Sequence, residues 1–399
     1  MIRVFLESIM DIILKKAKEK AVLNYHPWIF SGAIQSTPKG VKSGDTVKIK
    51  SHSGEFLGYG HFDSESQIRV RLISFQEDKS DLEPSFWTER WTEIYKKKIA
   101  LFDSALTNGF RFLFSEGDLS PGFTVDIYHK TAVIQCKTPG SQKHKSELIH
   151  FLETLNLESI IEKQEKGDTP EESQVIFYKG TLGKCNFLEN GLHFAVDVAN
   201  GQKTGFFLDQ RDNRKLLASY AKDKTVLNTF GYSGAFSVYA LQSLAQMVHT
   251  LDISKSALML CEENLLQNFD AKTISDKHKS LALDCFDYLK HMDDGFYDLI
   301  VLDPPAFTKH ISKIQAAARG YKDINLRAIS KIKQGGLIFT FSCSQHISAD
   351  LFRKIVFGAA KDAGRNVRVL HQLSQAPDHA FSIYHPEGEY LKGLVIQVD

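Results

Sequence analysis

"TVLNTFGYSGAFSVYAL", residues 225–241, decides how the rest of the chain is read. An apolar, β-branched run of strand length ends near Phe230, and a helix-patterned run begins after Gly234. Between them Gly231 and Gly234 permit a tight turn and a close approach of backbone, as at the first turn of a nucleotide-type α/β unit. Alone this is a weak sign, because many α/β proteins have such a turn.

Working outward, the apolar runs "MVHTLDI", "SLALDC", "YDLIVLDPP", "GLIFTFSCS", "NVRVLHQL" and "GLVIQV" follow, most of them separated by helix-patterned stretches. That alternation predicts, from about Gly201 onward, a doubly wound sheet of parallel strands with helices on both faces. Ligands of such sheets bind beyond the carboxyl ends of the strands, so the strand-end residues carry the functional information. The second run ends in Asp252, followed by Ile253, where a carboxylate can accept both ribose hydroxyls. Asp284 ends the third and suits the exocyclic amine of an adenine. Asp303 ends the fourth, stiffened by Pro304 and Pro305. Each acid taken singly is more often a helix cap or turn former; together on successive strand ends they make a site. The turn "FGYSGAF" has two glycines plus Tyr232 and Phe236, short of the G-x-G-x-x-G that seats a pyrophosphate. A phosphate-free ligand such as S-adenosylmethionine therefore fits better than NAD.

Upstream, the first ~75 residues read as short strands around turns at Ser53-Gly54 and Asp63-Ser64, a small basic β domain. A helical pattern covers about Pro84 to Leu106, hairpins turn at Gly117-Asp118 and His129-Lys130, and a helix spans about Lys143 to Leu155. "EKQEKGDTPEESQ", residues 162–174, reads as a solvated loop. The expected boundaries are 1–75, 76–195 and 196–399.

The 399 residues, 43% hydrophobic and 24% charged, are ordinary for a soluble protein of two or three domains. No apolar stretch nears the roughly 18 residues of a membrane span, and the N-terminus, interrupted by Glu7 and Asp11, reads as mature protein. Five cysteines without a C-x-x-C pair point to neither a disulfide framework nor a zinc site, and to a cytoplasmic location. With Lys plus Arg at 49 and Asp plus Glu at 48, any nucleic-acid surface must be local.

With these motifs the chain resembles, over nearly its full length, the bacterial ribosomal RNA large subunit methyltransferase I family. The resemblance is carried by "HPWIFSGAI", "GQKTGFFLDQRDNR" at 201–214, "VLNTFGYSGAF", "LDPPAF", "RGYKDIN" at 319–325, "LIFTFSCS" and "PEGEYLKG" at 386–393. It implies a PUA-like β-barrel, an α+β middle domain, and an α/β Rossmann-like class I methyltransferase domain that uses S-adenosylmethionine to make 5-methylcytosine in 23S ribosomal RNA. It further implies that the segment with Phe207, Asp209 and Arg211 covers the cofactor. Asn228, Phe230, Gly231, Tyr232 and Gly234 would wrap its methionine end, and Asp284 with Cys285 would hold its adenine. The chain departs from the family at Ala306, where a basic residue is common, and in "NTFGYSGAF".

Carbon 5 of cytosine is a poor nucleophile, so methylating it requires a thiolate to attack carbon 6 first. Cys343 is placed for that role, and Asp303 for proton exchange with ring nitrogen 3 if desolvation keeps it protonated. No residue is identified for removing the carbon-5 proton. The alternatives are methylation of another RNA base or of a nitrogen, a non-catalytic RNA-binding protein, and an NAD oxidoreductase. The spacing of Phe307, one residue late for a nitrogen-methylating tetrad, and Cys343 favour carbon. RNA contacts are expected from Lys48, Arg69 and Arg71 of the basic β domain, with Phe307 stacking the flipped base and Tyr321, Lys322 and the loop "HPEGEYLK", residues 385–392, at the pocket rim. The expected partner is 23S ribosomal RNA, with no membrane; monomer and homodimer both stay open.

Overall fold

The computed structural model describes residues 9–83, 85–164, 174–181, 185–308 and 310–399. Their contacts define two units. One joins Met1–Cys185, Val198–Gly205 and Asp378–Gly388; the other joins Asn186–Asp197, Phe206–Pro377 and Glu389–Asp399. The first expected region and residues 76–185 of the second thus fall within one unit, and residues 186–195 within the other.

In that unit, six strands between Met10 and Ser74 form one sheet. Alternation in Thr46–Lys50 sends Val47 and Ile49 inward against Ile12, Val70 and Leu72. A five-stranded sheet follows, from Gly109–Phe114 to Gln174–Lys179. The expected turn at His129-Lys130 is present, with His129 in the left-handed region at φ 56°. The first expected helix runs Phe86–Ile99 and buries the stacked pair Trp87 and Trp91, whose ring centroids are 5.0 Å apart. The second is broken at His144 into Pro139–Lys143 and Lys145–Glu153. His144, between the two, reaches Asp81 with its ring, Nε2 lying 2.8 Å from Oδ2. Of the expected loop at 162–174, Glu162–Gln164 belongs to a strand, and buried Glu162 accepts hydrogen bonds from Tyr178 and Lys145. Residues 165–173 lie outside the described residues.

The second unit is built on a seven-stranded sheet. Its strands are β1 (Thr225–Thr229), β2 (Met247–Asp252), β3 (His278–Ala282), β4 (Leu299–Leu302), β5 (Gly336–Ser342), β6 (Val367–Leu373) and β7 (Lys392–Val398). The order is β3-β2-β1-β4-β5-β7-β6. The sheet is not wholly parallel as expected, because β7 runs antiparallel to both β5 and β6. "GLVIQV" is buried along nearly its whole length, like β5 beside it, so composition does not reveal its direction. The helices are α1 (Arg211–Ala221), α2 (Ala235–Gln242), α3 (Lys255–Leu266), α4 (Ala271–Lys277), α5 (Cys285–His291), α6 (Ile314–Lys331) and α7 (Ala349–Ala363). Tyr321, Ile324, Ala328 and Ile329 of α6 meet Ile300, Leu302 and Ile338 of the sheet, at the three- and four-residue spacing of a buried helix face. Strand order reverses between β1 and β4, which fixes the crevice there.

Candidate active site

The first turn is shaped by sterics. Gly234 adopts φ 71°, and a Cβ there would lie 2.1 Å from the Sγ of Cys261; a Cβ on Gly231 would lie 2.3 Å from Thr250 Cγ2. Both positions therefore require glycine. Phe230 and Tyr232 also take positive φ, 53° and 44°, unfavourable for side-chain-bearing residues and typical of backbone held for function. The amide of Tyr232 donates to Asp252 Oδ2 at 2.9 Å, and that of Ser254 to Oδ1 at 2.8 Å. The Asp252 carboxylate is thereby aimed while retaining acceptor capacity. Asn228 is buried and donates to Ser237 Oγ, which bonds Thr250 Oγ1, which in turn bonds His278 Nε2. That chain supports the turn from beneath, and burial lowers the pKa of His278 to about 4.

Beside the turn, the register pairs Asp252 with Ala282. The next residues, Ile253 and Leu283, are apolar yet 74% and 49% exposed. Two apolar side chains left open at adjoining strand ends suit a flat heterocycle. Asp284 is exposed and caps α5 by accepting from the amide of Asp287 at 3.0 Å. Cys285 is buried, and burial pushes its thiol up to about 12, so it is an uncharged packing residue here.

The covering segment is fixed by a residue that sequence reading overlooked. Arg214, fully buried, donates to both carboxylate oxygens of Glu189 at 2.7 Å and to the carbonyl of Phe207 at 2.9 Å. Phe207 in turn meets the Tyr232 ring edge-on at 5.3 Å. Asp209 and Arg211 are both buried; Asp209 accepts from Tyr390 Oη, and Arg211 lies 3.6 Å from Glu189. A carboxylate and two guanidiniums in one buried cluster, bonded to the backbone of Phe207, hold that ring toward the turn.

Across the crevice, Leu302 pairs with Thr340, so Asp303 and Cys343 leave adjoining strands. The Cys343 Sγ lies 3.9 Å from the carbonyl oxygen of Pro304, and both Cys343 and Asp303 are half-buried. The wall behind them is aromatic: Phe307 stands 4.5 Å from Tyr321, whose hydroxyl bonds Ser344 Oγ at 2.9 Å. Tyr321 is 0% exposed, within α6 rather than at a helix start or on the rim. Gly320 beside it lets Phe307 lie on the helix, since a Cβ there would meet that ring at 3.0 Å. Lys322 points to the opposite side, paired with Asp362 of α7 at 2.6 Å. Lys392, the first residue of β7, ends the stretch expected as a rim loop, and its burial was not anticipated. It is 4% exposed, stands opposite Ser342, and donates to the carbonyl of Ser344 at 2.9 Å. The sequence signal was a single cation heading an otherwise apolar strand.

In the other unit, the three basic residues expected to meet RNA are engaged locally. Lys48 lies near Tyr59 and Phe56 and 4.0 Å from Glu77. Arg69 donates to the carbonyls of Asp63 and Ser64, and Arg71 lies within 3.6 Å of Asp63 and Glu116. Lys16, Lys18 and Lys20 of the same unit are exposed. Among the described residues, His61, Asp81 and His144 converge closely enough to hold an ion. Asp81 Oδ2 already has both imidazoles within 2.8 Å, so the cluster is self-neutralising.

Comparison with known proteins agrees with this architecture. Residues 12–75 match a PUA-like domain, and residues 168–382 an S-adenosylmethionine-dependent methyltransferase. The chain is 38% identical over 394 residues to a ribosomal RNA large subunit methyltransferase I from Alteromonas mediterranea, covering 97% of this chain and 98% of that one. It is 38% identical to the protein of the same name from Tolumonas auensis, again over 97% and 98% of the two chains. Among solved structures, a chain from Streptococcus mutans described as a SAM-dependent methyltransferase superposes with a TM-score of 0.82 at 23% identity, covering 98% of this chain and 100% of that one. Another, a methyltransferase complexed with SAH, gives 0.83 at 23% identity over the same shares. The open turn, the aimed Asp252 carboxylate and the exposed Ile253–Leu283 pair fit an adenosine-bearing methyl donor.

Proposed function

We propose, for a chain that belongs to the ribosomal RNA large subunit methyltransferase I family, that the methyl group goes to carbon 5 of a cytosine in 23S ribosomal RNA through a covalent bond to Cys343. The chain is a methyltransferase that uses S-adenosylmethionine and carries a PUA-like domain. When bound, that cofactor supplies an electrophilic methyl group. In this reading Asp252 takes the ribose, Ile253 and Leu283 flank the adenine, Asp284 takes its amine, and the backbone of Phe230 to Gly234 faces the methionine end.

The observation that carries the carbon-5 reading is the placement of Cys343 beside Asp303-Pro304 on adjoining strand ends, half-buried rather than sealed in the core. The Cys343 thiolate bonds carbon 6, and the displaced π pair makes carbon 5 nucleophilic while the Asp303 carboxyl donates a proton to nitrogen 3. After carbon 5 is methylated its proton passes to a water molecule, the freed C–H pair restores the carbon 5–carbon 6 double bond, the Cys343 sulfur departs as a thiolate, and nitrogen 3 returns its proton to Asp303. Nitrogen methylation would need no thiol. The RNA backbone is met by exposed Lys16, Lys18 and Lys20, since Lys48, Arg69 and Arg71 already have local partners. The test is a trap: RNA carrying 5-fluorocytosine lacks the removable proton, so it should remain bound to the wild-type protein through denaturing electrophoresis. No adduct with wild type, under conditions where normal RNA is methylated, would exclude the thiolate route.

A further inference from the structure

We propose that Lys392 is the cation that holds Cys343 as a thiolate, and so sets the reactivity of the attacking group. This rests on the reading of Cys343 as nucleophile. A lysine this deeply buried carries a large desolvation cost, and the Ser344 carbonyl it meets is neutral and offsets only part of it. Its ammonium donates to the carbonyl of Ser344, the residue immediately after the thiol, at 2.9 Å, and the pairing of Ser342 with Lys392 across the sheet fixes that placement. Burial depresses the Lys392 pKa to about 8, and the charge of Cys343 counteracts that depression. Other polar groups near the pair are Tyr321, whose hydroxyl bonds Ser344 and whose own pKa is raised by burial, Glu389, whose charge also favours the ammonium, and Asp303 at the neighbouring strand end. When the thiolate adds to carbon 6 and later leaves it, the sulfur loses and regains its charge against a fixed ammonium. Lys392 thus acts through Cys343 as a positioning residue.

The experiment uses the full chain and iodoacetamide, following alkylation of the peptide that contains Cys343 by mass spectrometry from pH 6 to pH 10. Lys392→Met should slow alkylation at pH 7 about ten-fold and move the profile to higher pH, because the thiolate is the reacting form. Lys392→Arg, which keeps the charge, should restore most of the rate. Binding of S-adenosylmethionine by calorimetry shows that each variant is folded. An unchanged profile in a Lys392→Met protein that binds the cofactor overturns the pairing. If that variant does not fold, the wild type decides alone. Its ratio of alkylation rates at pH 7 and pH 9, which cancels access, should exceed that of free cysteine, and an equal or smaller ratio overturns the pairing. Full methylation by Cys343→Ala would instead remove the nucleophile and leave the alkylation result standing, so the two failures are separable.

Discussion

Replacing Gly234 by alanine should damage this protein more than its size suggests. The residue holds φ 71°, a conformation that costs an L-residue roughly 1 kcal/mol. The added Cβ would also lie 2.1 Å from Cys261 Sγ and 2.8 Å from its Cβ, and Cys261 is 0% exposed on α3 with no room to retreat. Relieving such an overlap by shifting a helix costs about 1–3 kcal/mol. Together the loss should be about 2–4 kcal/mol. Gly364 is the internal control: it has φ 65° at the end of α7, but a Cβ there meets nothing within 4 Å. Gly364→Ala should therefore lose only the conformational part, about 1 kcal/mol. Urea unfolding of both variants separates the terms, and calorimetry should show S-adenosylmethionine affinity falling only for Gly234→Ala. Equal destabilisation of the two would refute the packing account of the turn.

Other consequences follow from the same geometry. His278 is kept neutral, with a pKa of about 4 against an ordinary 6.5, so between those values the unfolded chain binds the extra proton. Stability should rise with pH across 4 to 6.5, by about 3 kcal/mol from this group, and a urea series should show His278→Gln flattening that slope. Asp252→Asn keeps the size but removes the charge that accepts from Tyr232 and Ser254; cofactor affinity should fall at least about ten-fold by calorimetry. Ile253→Ala removes a side chain already 74% exposed, so unfolding should be unchanged within about 0.5 kcal/mol while cofactor affinity drops roughly five-fold.

The alternation of apolar runs was enough to place the strands of the methyltransferase sheet, because its central strands, buried on both faces, leave a continuous signal in composition. Direction left none: β7 is as apolar as the parallel strand β5 beside it in the sheet, and only the path of the connecting chain reverses it. Strand-end residues such as Asp252, Asp303 and Cys343 were legible because position along a strand fixes which residue emerges first. Tyr321 and Lys322 were misjudged as a rim pair since adjacent helical residues face different ways, one into the core and one toward Asp362. Arg214 was missed, and Lys392 expected in a rim loop, because a buried cation is known only by the partner it meets, and Glu189 and the Ser344 carbonyl lie 25 and 48 residues away in sequence. Lys48, Arg69 and Arg71 count as basic in composition, yet nearby acids, carbonyls and rings occupy them.

The central claim is that Cys343 makes the bond that activates carbon 5. Bisulfite sequencing of 23S ribosomal RNA, from cells lacking this gene and complemented with either wild type or Cys343→Ala, tests it most directly. One protected cytosine should return with wild type and stay unprotected with a Cys343→Ala protein that still binds S-adenosylmethionine. Restoration of that cytosine by Cys343→Ala, or no protected cytosine with wild type, would contradict the account.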